Sequence, residues 1–338
     1  MRLSESIRRK VLEISAGWIV NKFKIRKRRD TLFFEDIIAE YFRRCEAAGF
    51  GNEMEELGRE WMALYFTKLL PDSLKKAPPD VLLNSIISRI WSNLGLMDNF
   101  FMAFEGDMVR IKTINEGVTR IVGTNRGMVG FHKGIINALF GRAVETVEFN
   151  QKKENCAYAF RLLEGEFGIE GKDKEMYNKL NQFPEDIRGF NLKDAVENGV
   201  FVLKAGNRIY FKEKLICPVE NTISHLIGNK GVMLDSVAHI SERYFSGILK
   251  EKESKESRLT LLRLLLESMG WGLVRIMVDK KERITVIIKN PPYGLQSRGD
   301  NWNFLSNTIL GYLRTIDKRY IIKSTKKADR KLTVTYSA

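Results

Sequence analysis

The 338-residue sequence has few cysteines and histidines, and it lacks a long apolar run. Its three cysteines, Cys45, Cys156 and Cys217, are scattered and odd in number, which argues against a disulfide framework and a cysteine-built zinc site. A membrane-spanning helix needs about 18 or more consecutive apolar residues, and the N-terminal residues lack the apolar core of a signal peptide. We therefore expect a cytoplasmic protein with no metal and no cofactor.

Catalytic signatures are also missing. The motifs GxSxG, HExxH, GxGxxG and a P-loop ending in GK[ST] do not occur. A glycine-rich segment contains Arg126, His132 and Lys133, but no Ser or Thr follows the lysine, so we interpret it as a turn that enters a helix. Glu145 and Glu148 are expected near the end of that helix, without a complementary acid or base. The sequence thus predicts a protein that is not an enzyme.

Positive charge is abundant. The chain has 56 basic and 42 acidic residues, a formal net charge of +14. Such an excess attracts phosphate groups or acidic partners without specificity. A lysine-rich and glutamate-rich thermophilic surface is the alternative interpretation.

Two segments concentrate the basic residues: KFKIRKRRD, which begins at Lys22, and KRYIIKSTKKADRK, which begins at Lys318. Both look like strands, on which alternate side chains share one face. We expect them to occupy comparable edges of two repeats and to bind nucleic acid or another polyanion, with a solvated hairpin face as the alternative. The candidate polyanion-binding residues are Lys24, Arg26, Lys27, Arg28, Arg29, Lys323, Lys326, Lys327 and Arg330.

The order of segments recurs along the chain. In each half a strand-like run (VTRIV or ITVIIK) precedes a loop opened by Asn125 or Asn290, followed by a glycine-containing helix and a closing strand. Each half also has an earlier helix that ends at a glycine, Gly95 or Gly270. We predict two copies of one α+β unit, packed as a pseudo-dimer. The expected divisions are an N-terminal helical extension (1–13), a first repeat (14–165), a linker (166–194) and a second repeat (195–338).

A glycine inside a helix costs roughly 1 kcal/mol relative to alanine. Gly311 in the second half, and Gly134 and Gly141 in the first, lie in runs that are expected to be helical. We predict that these glycines allow close helix packing, because their missing side chains let two backbones approach. Tolerated glycines on exposed turns are the alternative.

The two motifs, TNRG followed by GFHKGIINALFGRAVETVEF and NPP followed by WNFLSNTILGYL, resemble the 4-vinyl reductase domain and the related TRAPP vesicle-tethering subunits. The resemblance covers most of both halves. It implies an antiparallel sheet with helices on one face, dimerisation through helices, and an apolar pocket for a small aromatic effector or an acyl chain. Some relatives bind zinc through cysteines near the final strand. Only Cys156 matches one of those positions here, so no zinc site is expected.

We therefore expect a non-enzymatic scaffold that presents an apolar pocket or a helical interface to a small hydrophobic ligand or a protein partner. A homo-oligomer is compatible with this prediction. The alternatives are a nucleic-acid-associated protein that uses its basic strands and an enzyme that uses the same pocket. The candidate pocket or interface residues are Ile135, Ile136, Leu139, Phe140, Phe304, Ile309, Tyr312 and Leu313.

Overall fold

The computed structural model describes residues 12–15, 18–21, 28–69, 78–168, 189–204, 208–220, 222–249, 253–291, 302–328 and 331–338. These residues form three antiparallel sheets and a set of helices, which confirms the predicted α+β class with repeated units. The strands are β1 (Leu12–Ser15), β2 (Trp18–Asn21), β3 (Arg28–Phe34), β4 (Asn99–Glu105), β5 (Met108–Ile114), β6 (Arg142–Gln151), β7 (Asn155–Glu166), β8 (Val202–Lys204), β9 (Arg208–Phe211), β10 (Lys214–Glu220), β11 (Leu273–Val278), β12 (Ile284–Lys289), β13 (Ile321–Ala328) and β14 (Lys331–Ser337).

The helices follow the apolar periodicity of the sequence. A helical run begins at Pro79–Val81 and passes through a π-helical segment, Leu82–Ile87, before its last α-helical part. The α-helices are α1 (Glu35–Ala47), α2 (Gly51–Leu69), α3 (Ser88–Leu94), α4 (Thr119–Val122), α5 (Arg126–Phe140), α6 (Leu192–Glu197), α7 (Thr222–Lys230), α8 (Ser236–Ser246), α9 (Lys255–Ser268) and α10 (Asn303–Arg314).

Two four-stranded sheets share one topology. The first-repeat sheet has the strand order β4-β5-β7-β6, and the second-repeat sheet has the order β11-β12-β14-β13. In each, a helix (α5 or α10) connects the second strand to the third along the chain. Strand residues alternate between a buried face and an exposed face, as in β12, where Ile284, Val286 and Ile288 are fully buried. Each sheet therefore has one face that packs into the core.

The third sheet joins the two halves. In this central sheet, of order β1-β2-β3-β10-β9-β8, strand β3 of the first half pairs antiparallel with β10 of the second, from Phe34 opposite Ile216 to Asp30 opposite Glu220. Helices α7 and α8 of the second half follow β10 as α1 and α2 of the first half follow β3. Helix α1 contacts α8, and α2 contacts α7, so the two contacts across the junction are equivalent. This arrangement is a pseudo-dimer with approximate two-fold symmetry.

The structure corrects three expectations about local structure. The run that contains VTRIV is helix α4 rather than a strand. The predicted N-terminal helical extension (1–13) reaches into strand β1, and residues 1–11 lie outside the described part. The helix that was expected to continue through residue 147 ends at Phe140, because Gly141 adopts a left-handed conformation with φ of 63° and caps it.

The glycines divide into two kinds. A Cβ at Gly311 would lie 2.3 Å from the Ala238 carbonyl oxygen on α8, and a Cβ at Gly134 would lie 2.2 Å from the Arg59 carbonyl oxygen on α2. Helix backbones therefore approach closely at both positions. A Cβ at Gly141 would meet nothing within 4 Å, so the prediction of close packing there is wrong.

Candidate functional site

A groove of about 650 Å³ lies beside strand β6. One wall is helix α2, and the N-terminal half of α5 contributes two cationic side chains. The opposite wall is five consecutive residues of β6, from Glu145 to Phe149. The residues of this β6 groove are Asn52, Glu55, Glu56, Arg59, Arg126, Lys133, Glu145, Thr146, Val147, Glu148 and Phe149.

The backbone of β6 borders the groove along an edge. Consecutive residues in a strand point to opposite faces, so five in a row line one groove only where the strand edge faces it. Strand β6 pairs with β7 on one side, and within the described ranges no strand pairs with its other side. Val147 falls at an irregularity between the pairs Thr146–Phe160 and Glu148–Ala159, and its side chain is 44% exposed. The bulge keeps Glu145 and Glu148 on one face of the sheet.

Ion pairs fix the helical wall of the groove. Lys133 Nζ lies 3.0 Å from Glu55 Oε1, Arg59 pairs with Glu56, and Arg126 lies 3.8 Å from Glu55 Oε2. The Arg59 side-chain hydrogen bond lowers the pKa of the Glu56 carboxyl, despite the opposing effect of burial. The Glu56 carboxylate is therefore charged and paired at neutral pH.

The strand wall of the groove differs from the helical wall in its ion pairs. Glu145 lies 3.4 Å from Arg161 on the neighbouring strand, whereas the structure shows no ion pair of Glu148 with another described residue. Both glutamates are exposed strand residues, which corrects the expectation that they form a carboxylate pair near a helix end. The strand wall thus presents negative charge to whatever lies in the groove.

A second cavity, of about 50 Å³, is an apolar crevice between α2 and α3. The Trp61 indole Nε1 is buried in its wall with no hydrogen-bond partner among the described residues. Cavities that bury drug-sized ligands are typically about 300 Å³ or larger, so this crevice holds only a group of a few atoms. Its lining comprises Asp30, Trp61, Met62, Tyr65, Ile90, Trp91, Leu94, Leu96, Phe131 and Pro218.

A fully buried polar cluster lies beneath the first-repeat sheet. Glu116 Oε2 accepts hydrogen bonds of 2.6 Å from Tyr158 and Thr119, and its Oε1 lies 2.6 Å from His132 Nε2. Gln151 extends the cluster by donating to the Tyr158 hydroxyl at 3.0 Å. The cluster ties helix α5, which carries His132, to strands β6 and β7, which carry Gln151 and Tyr158.

The pKa of the buried carboxyl reflects its neighbours. Burial raises the pKa of Glu116, but the charge of His132 and hydrogen bonds from His132, Thr119 and Tyr158 outweigh it, so the pKa lies below 4.5. Burial and the Glu116 charge raise the pKa of Tyr158 well above 10.0. The Tyr158 hydroxyl therefore remains a neutral donor to an ionised Glu116.

The predicted pocket residues lie mainly in the core. Leu139 and Phe140 are partly buried, and the other six have at most 1% of their surface exposed. Neither of the two cavities above is lined by any of the eight. Their role in a pocket or an interface stays a prediction. The buried six are Ile135, Ile136, Phe304, Ile309, Tyr312 and Leu313.

The predicted basic surface does not form as expected. The described part of the first segment, which includes Arg28 and Arg29, belongs to β3, which has a neighbouring strand on each side in the central sheet. The second segment forms β13, an edge strand of the second-repeat sheet. The counterpart of β13 in the first repeat is β6, so the segments are not on comparable edges. Lys24, Arg26, Lys27 and Arg330 lie outside the described residues.

Strand β13 also separates its own lysines. Lys323 and Lys326 are exposed, and Lys326 pairs with Thr333 on the outer face. Lys327 is in register with the buried Leu332, and its Nζ lies 5.6 Å from the centre of the Trp302 ring. Burial lowers the pKa of Lys327. Lys327 is also exposed, but its place in the row of the inner face separates it from Lys326.

Sequence reasoning did not identify Glu116 or the β6 groove. It placed His132 at the start of a helix, whereas the helix begins at Arg126 and His132 is fully buried within it. Polar residues inside apolar runs, such as Tyr158 in NCAYAF, were the available signal for the cluster. The groove had no local signal, because helix α2 and strand β6 are distant in sequence.

Three features of the described residues concern metal ligands, membrane-spanning helices and cysteines. Among the described residues, no group of three His, Cys, Asp or Glu side chains could hold a metal ion. Within the same residues, no helix has both the length and the apolar character needed to cross a membrane. The three cysteines are buried and unpaired.

No protein-family profile and no curated protein matches the sequence. Among solved structures, the chain is similar to the crystal structure of a trafficking protein particle complex subunit 3 from Naegleria fowleri, which is covalently bound to palmitic acid. The match has a TM-score of 0.30 and 11% identity, and it covers 40% of this chain and 98% of the other. The repeated α+β architecture described above accordingly rests on this chain's own strand order.

Proposed function

We propose that the protein is a non-enzymatic scaffold that holds an extended segment of a protein partner in the β6 groove. The observation that carries this proposal is the wall of five consecutive strand residues, from Glu145 to Phe149. An exposed strand edge offers a row of main-chain donors and acceptors, which an extended peptide satisfies by adding a strand. The volume of about 650 Å³ lies in the ordinary range of binding clefts.

Charge favours a partner segment with a basic residue. The carboxylates of the helical wall already have cationic neighbours, whereas the exposed Glu148 has no such neighbour in the described part of the chain. A lysine or arginine of the partner opposite Glu148 supplies the missing charge. Exposed Val147, between the two glutamates, offers an apolar contact of its own.

A protein segment fits these dimensions better than a small hydrophobic ligand. The apolar crevice at Trp61 has only about 50 Å³, too little for a chain or an aromatic ring system. In the groove, Glu55 is paired with Lys133 and Glu56 with Arg59. These ion pairs favour binding over acid–base catalysis. Buried, unpaired thiols are in keeping with a reducing compartment such as the cytoplasm.

Selection of peptides from a displayed random library against the whole protein tests this function. We expect extended sequences that contain Lys or Arg. N-methylation at alternate residues should weaken binding about 10-fold or more, since each main-chain hydrogen bond that the bound peptide loses costs about 1 to 3 kcal/mol. Val147→Pro should abolish binding, because proline is tolerated at bulges but removes a backbone donor.

Lys323→Pro provides a matched control. Lys323 occupies a similar irregularity on β13, the counterpart edge of the second-repeat sheet. This variant should bind the selected peptides like the wild type. Peptides that tolerate N-methylation at every position, or that bind equally to Val147→Pro, would show that no strand is added at β6.

A further inference from the structure

The outer face of the second-repeat sheet has an unbalanced charge. Strand pairing brings Arg275, Lys289, Lys331 and Lys326 to this face, on two adjacent rows of the four-stranded sheet. One row runs from Arg275 through Ile287 and Thr333 to Lys326, and the next contains Lys289 opposite Lys331. All four cationic residues are exposed.

The register shows why the four side chains share one face. Residues directly opposite each other in antiparallel strands point the same way. The neighbouring rows, Val274–Ile288–Leu332 and Ile276–Val286–Val334, are the inner face, which packs into the core. Because side-chain direction alternates, the remaining rows must point outward.

None of the residues in the outward rows is an aspartate or a glutamate. Ion pairs between the four cationic side chains and other described residues do not occur in the structure. The neighbouring outward row contains the hydroxyl side chains of Thr285, Thr335 and Ser324. Hydroxyl groups add hydrogen-bond donors to the same surface.

The equivalent face of the first-repeat sheet shows that this imbalance is not a consequence of the fold. There Arg110, Lys112 and Arg161 are accompanied by three glutamates. Arg161 lies 3.4 Å from Glu145, and Arg110 lies 3.9 Å from Glu105. Two repeats with one topology thus have a neutral outer face and a cationic outer face.

We propose that the outer face of the second-repeat sheet binds the phosphate backbone of a nucleic acid. The four cationic side chains span three interstrand spacings of about 4.8 Å, or about 14 Å in all. A DNA duplex carries one charge per about 1.7 Å of its axis, so several phosphates lie within this span. The positive charge of this face favours a polyanion, and its hydroxyl groups can donate hydrogen bonds to phosphate oxygens.

Binding at this face rests on contacts with phosphate groups. The outward rows contain no aromatic side chain on which a base could stack and no Asn or Gln that could read the edge of an adenine. An anionic bilayer is the competing polyanion. In the two cationic rows, Leu273 and Ile287 are partly buried and Ala328 is small, so these rows offer no large apolar group for insertion. The exposed Met277 and Ile321 lie in other outward rows of the sheet.

Fluorescence anisotropy with labelled single-stranded and duplex DNA tests the proposal on the full chain. If all four cations contact phosphates, duplex affinity falls about 100-fold between 50 and 200 mM salt. The variant Arg275→Ala/Lys289→Ala/Lys326→Ala/Lys331→Ala should reduce the salt slope by about 4, since each lost phosphate contact lowers it by about 1. Its unfolding midpoint should match that of the wild type, because the substituted side chains are exposed.

The variant Arg110→Ala/Lys112→Ala/Arg161→Ala on the first-repeat sheet is the control, and it should retain wild-type affinity and salt slope. Phosphatidylserine vesicles provide the second probe. Two results would each overturn the proposal: an equal loss in both variants, or no binding of either DNA at 50 mM salt. Vesicle binding without DNA binding would then identify an anionic bilayer as the partner of this face. Because the β6 groove lies on the other repeat, failure here leaves the peptide-binding function unaffected.

Discussion

Glu116 is a fully buried acid whose carboxylate is surrounded by donors. Thr113, Thr119 and Tyr158 donate hydrogen bonds to it, and His132 Nε2 lies within 2.6 Å. An ionised carboxylate accepts hydrogen bonds only, so Nε2 of His132 donates in this arrangement. Removing one partner of such a buried pair is far more costly than removing an exposed charge.

At the residue scale, we predict that Glu116→Gln lowers the free energy of unfolding by about 3 to 5 kcal/mol at pH 7. The pKa of Glu116 in the folded protein lies below its usual value of 4.5. The charge therefore contributes stability above about pH 4.5, and that contribution is lost as the pH falls through the folded pKa. The difference between wild type and variant should shrink on acidification.

Urea denaturation at a series of pH values between 7 and 3.5 measures this difference. Glu148→Gln is the control, because Glu148 is exposed and should change stability by no more than about 0.5 kcal/mol. A Glu116→Gln difference that stays constant down to pH 3.5 would contradict the assigned direction of the pKa shift.

At the scale of elements, close crossings of helix pairs hold each repeat together. Helix α5 crosses α2, and α10 crosses α8, with glycines at the points of approach. At the second crossing, a Cβ at Gly311 would lie 2.4 Å from Ser241 Cβ and 2.6 Å from the Glu242 nitrogen. Two of the three nearest atoms are backbone, so the neighbouring helix must move to admit a methyl group.

We predict that Gly311→Ala destabilises the protein by about 1 to 3 kcal/mol through overpacking. Helix propensity alone predicts the opposite sign, a gain of roughly 1 kcal/mol for alanine. Gly247→Ala is the matched control, because its Cβ would meet nothing closer than 3.5 Å. Chemical denaturation should show a lower midpoint for Gly311→Ala than for the wild type, and an equal or higher midpoint for Gly247→Ala. If Gly311→Ala and the wild type unfold at the same midpoint, the two helices can move apart without cost.

On the scale of the whole molecule, the central sheet makes the two repeats one folding unit. Trp271 Nε1 donates to the Leu32 carbonyl at 2.8 Å, and the Leu32 amide donates to the Met269 carbonyl at 2.9 Å. Phe33 packs against the Trp271 ring at a centroid distance of 4.5 Å. Separation of the repeats would expose these apolar groups together with the edges of β3 and β10.

We predict that residues 1–168 and 189–338, expressed separately, do not form cooperatively folded monomers, because each loses its partner strand in the central sheet. Co-expression of the two segments should restore a 1:1 complex. Size-exclusion chromatography with thermal unfolding measures both outcomes. Two monomeric halves that each unfold near the midpoint of the intact chain would show that the central sheet contributes little.

Much of the fold was predictable from local patterns. Apolar residues at steps of three and four from Trp302 to Leu313 predicted helix α10, and Gly95 marked the end of a helix as expected. The prediction failed at VTRIV, where β-branched residues suggested a strand but the chain forms the short helix α4. Hydrogen bonds from Arg120 on this helix to Glu35 on α1, one of them 2.7 Å long, are tertiary contacts that no local propensity contains.

The sequence by itself determined the repeated α+β class, the alternating inner and outer strand residues and the excess of positive charge, because periodicity and composition are local properties. Only the tertiary structure decided which residues meet. Strand order placed Arg275 and Lys326 on one outer face, and the β6 groove arose from the packing of α2 beside an edge strand. Such juxtapositions depend on contacts between segments far apart in the chain, and those contacts are set by burial of the whole core.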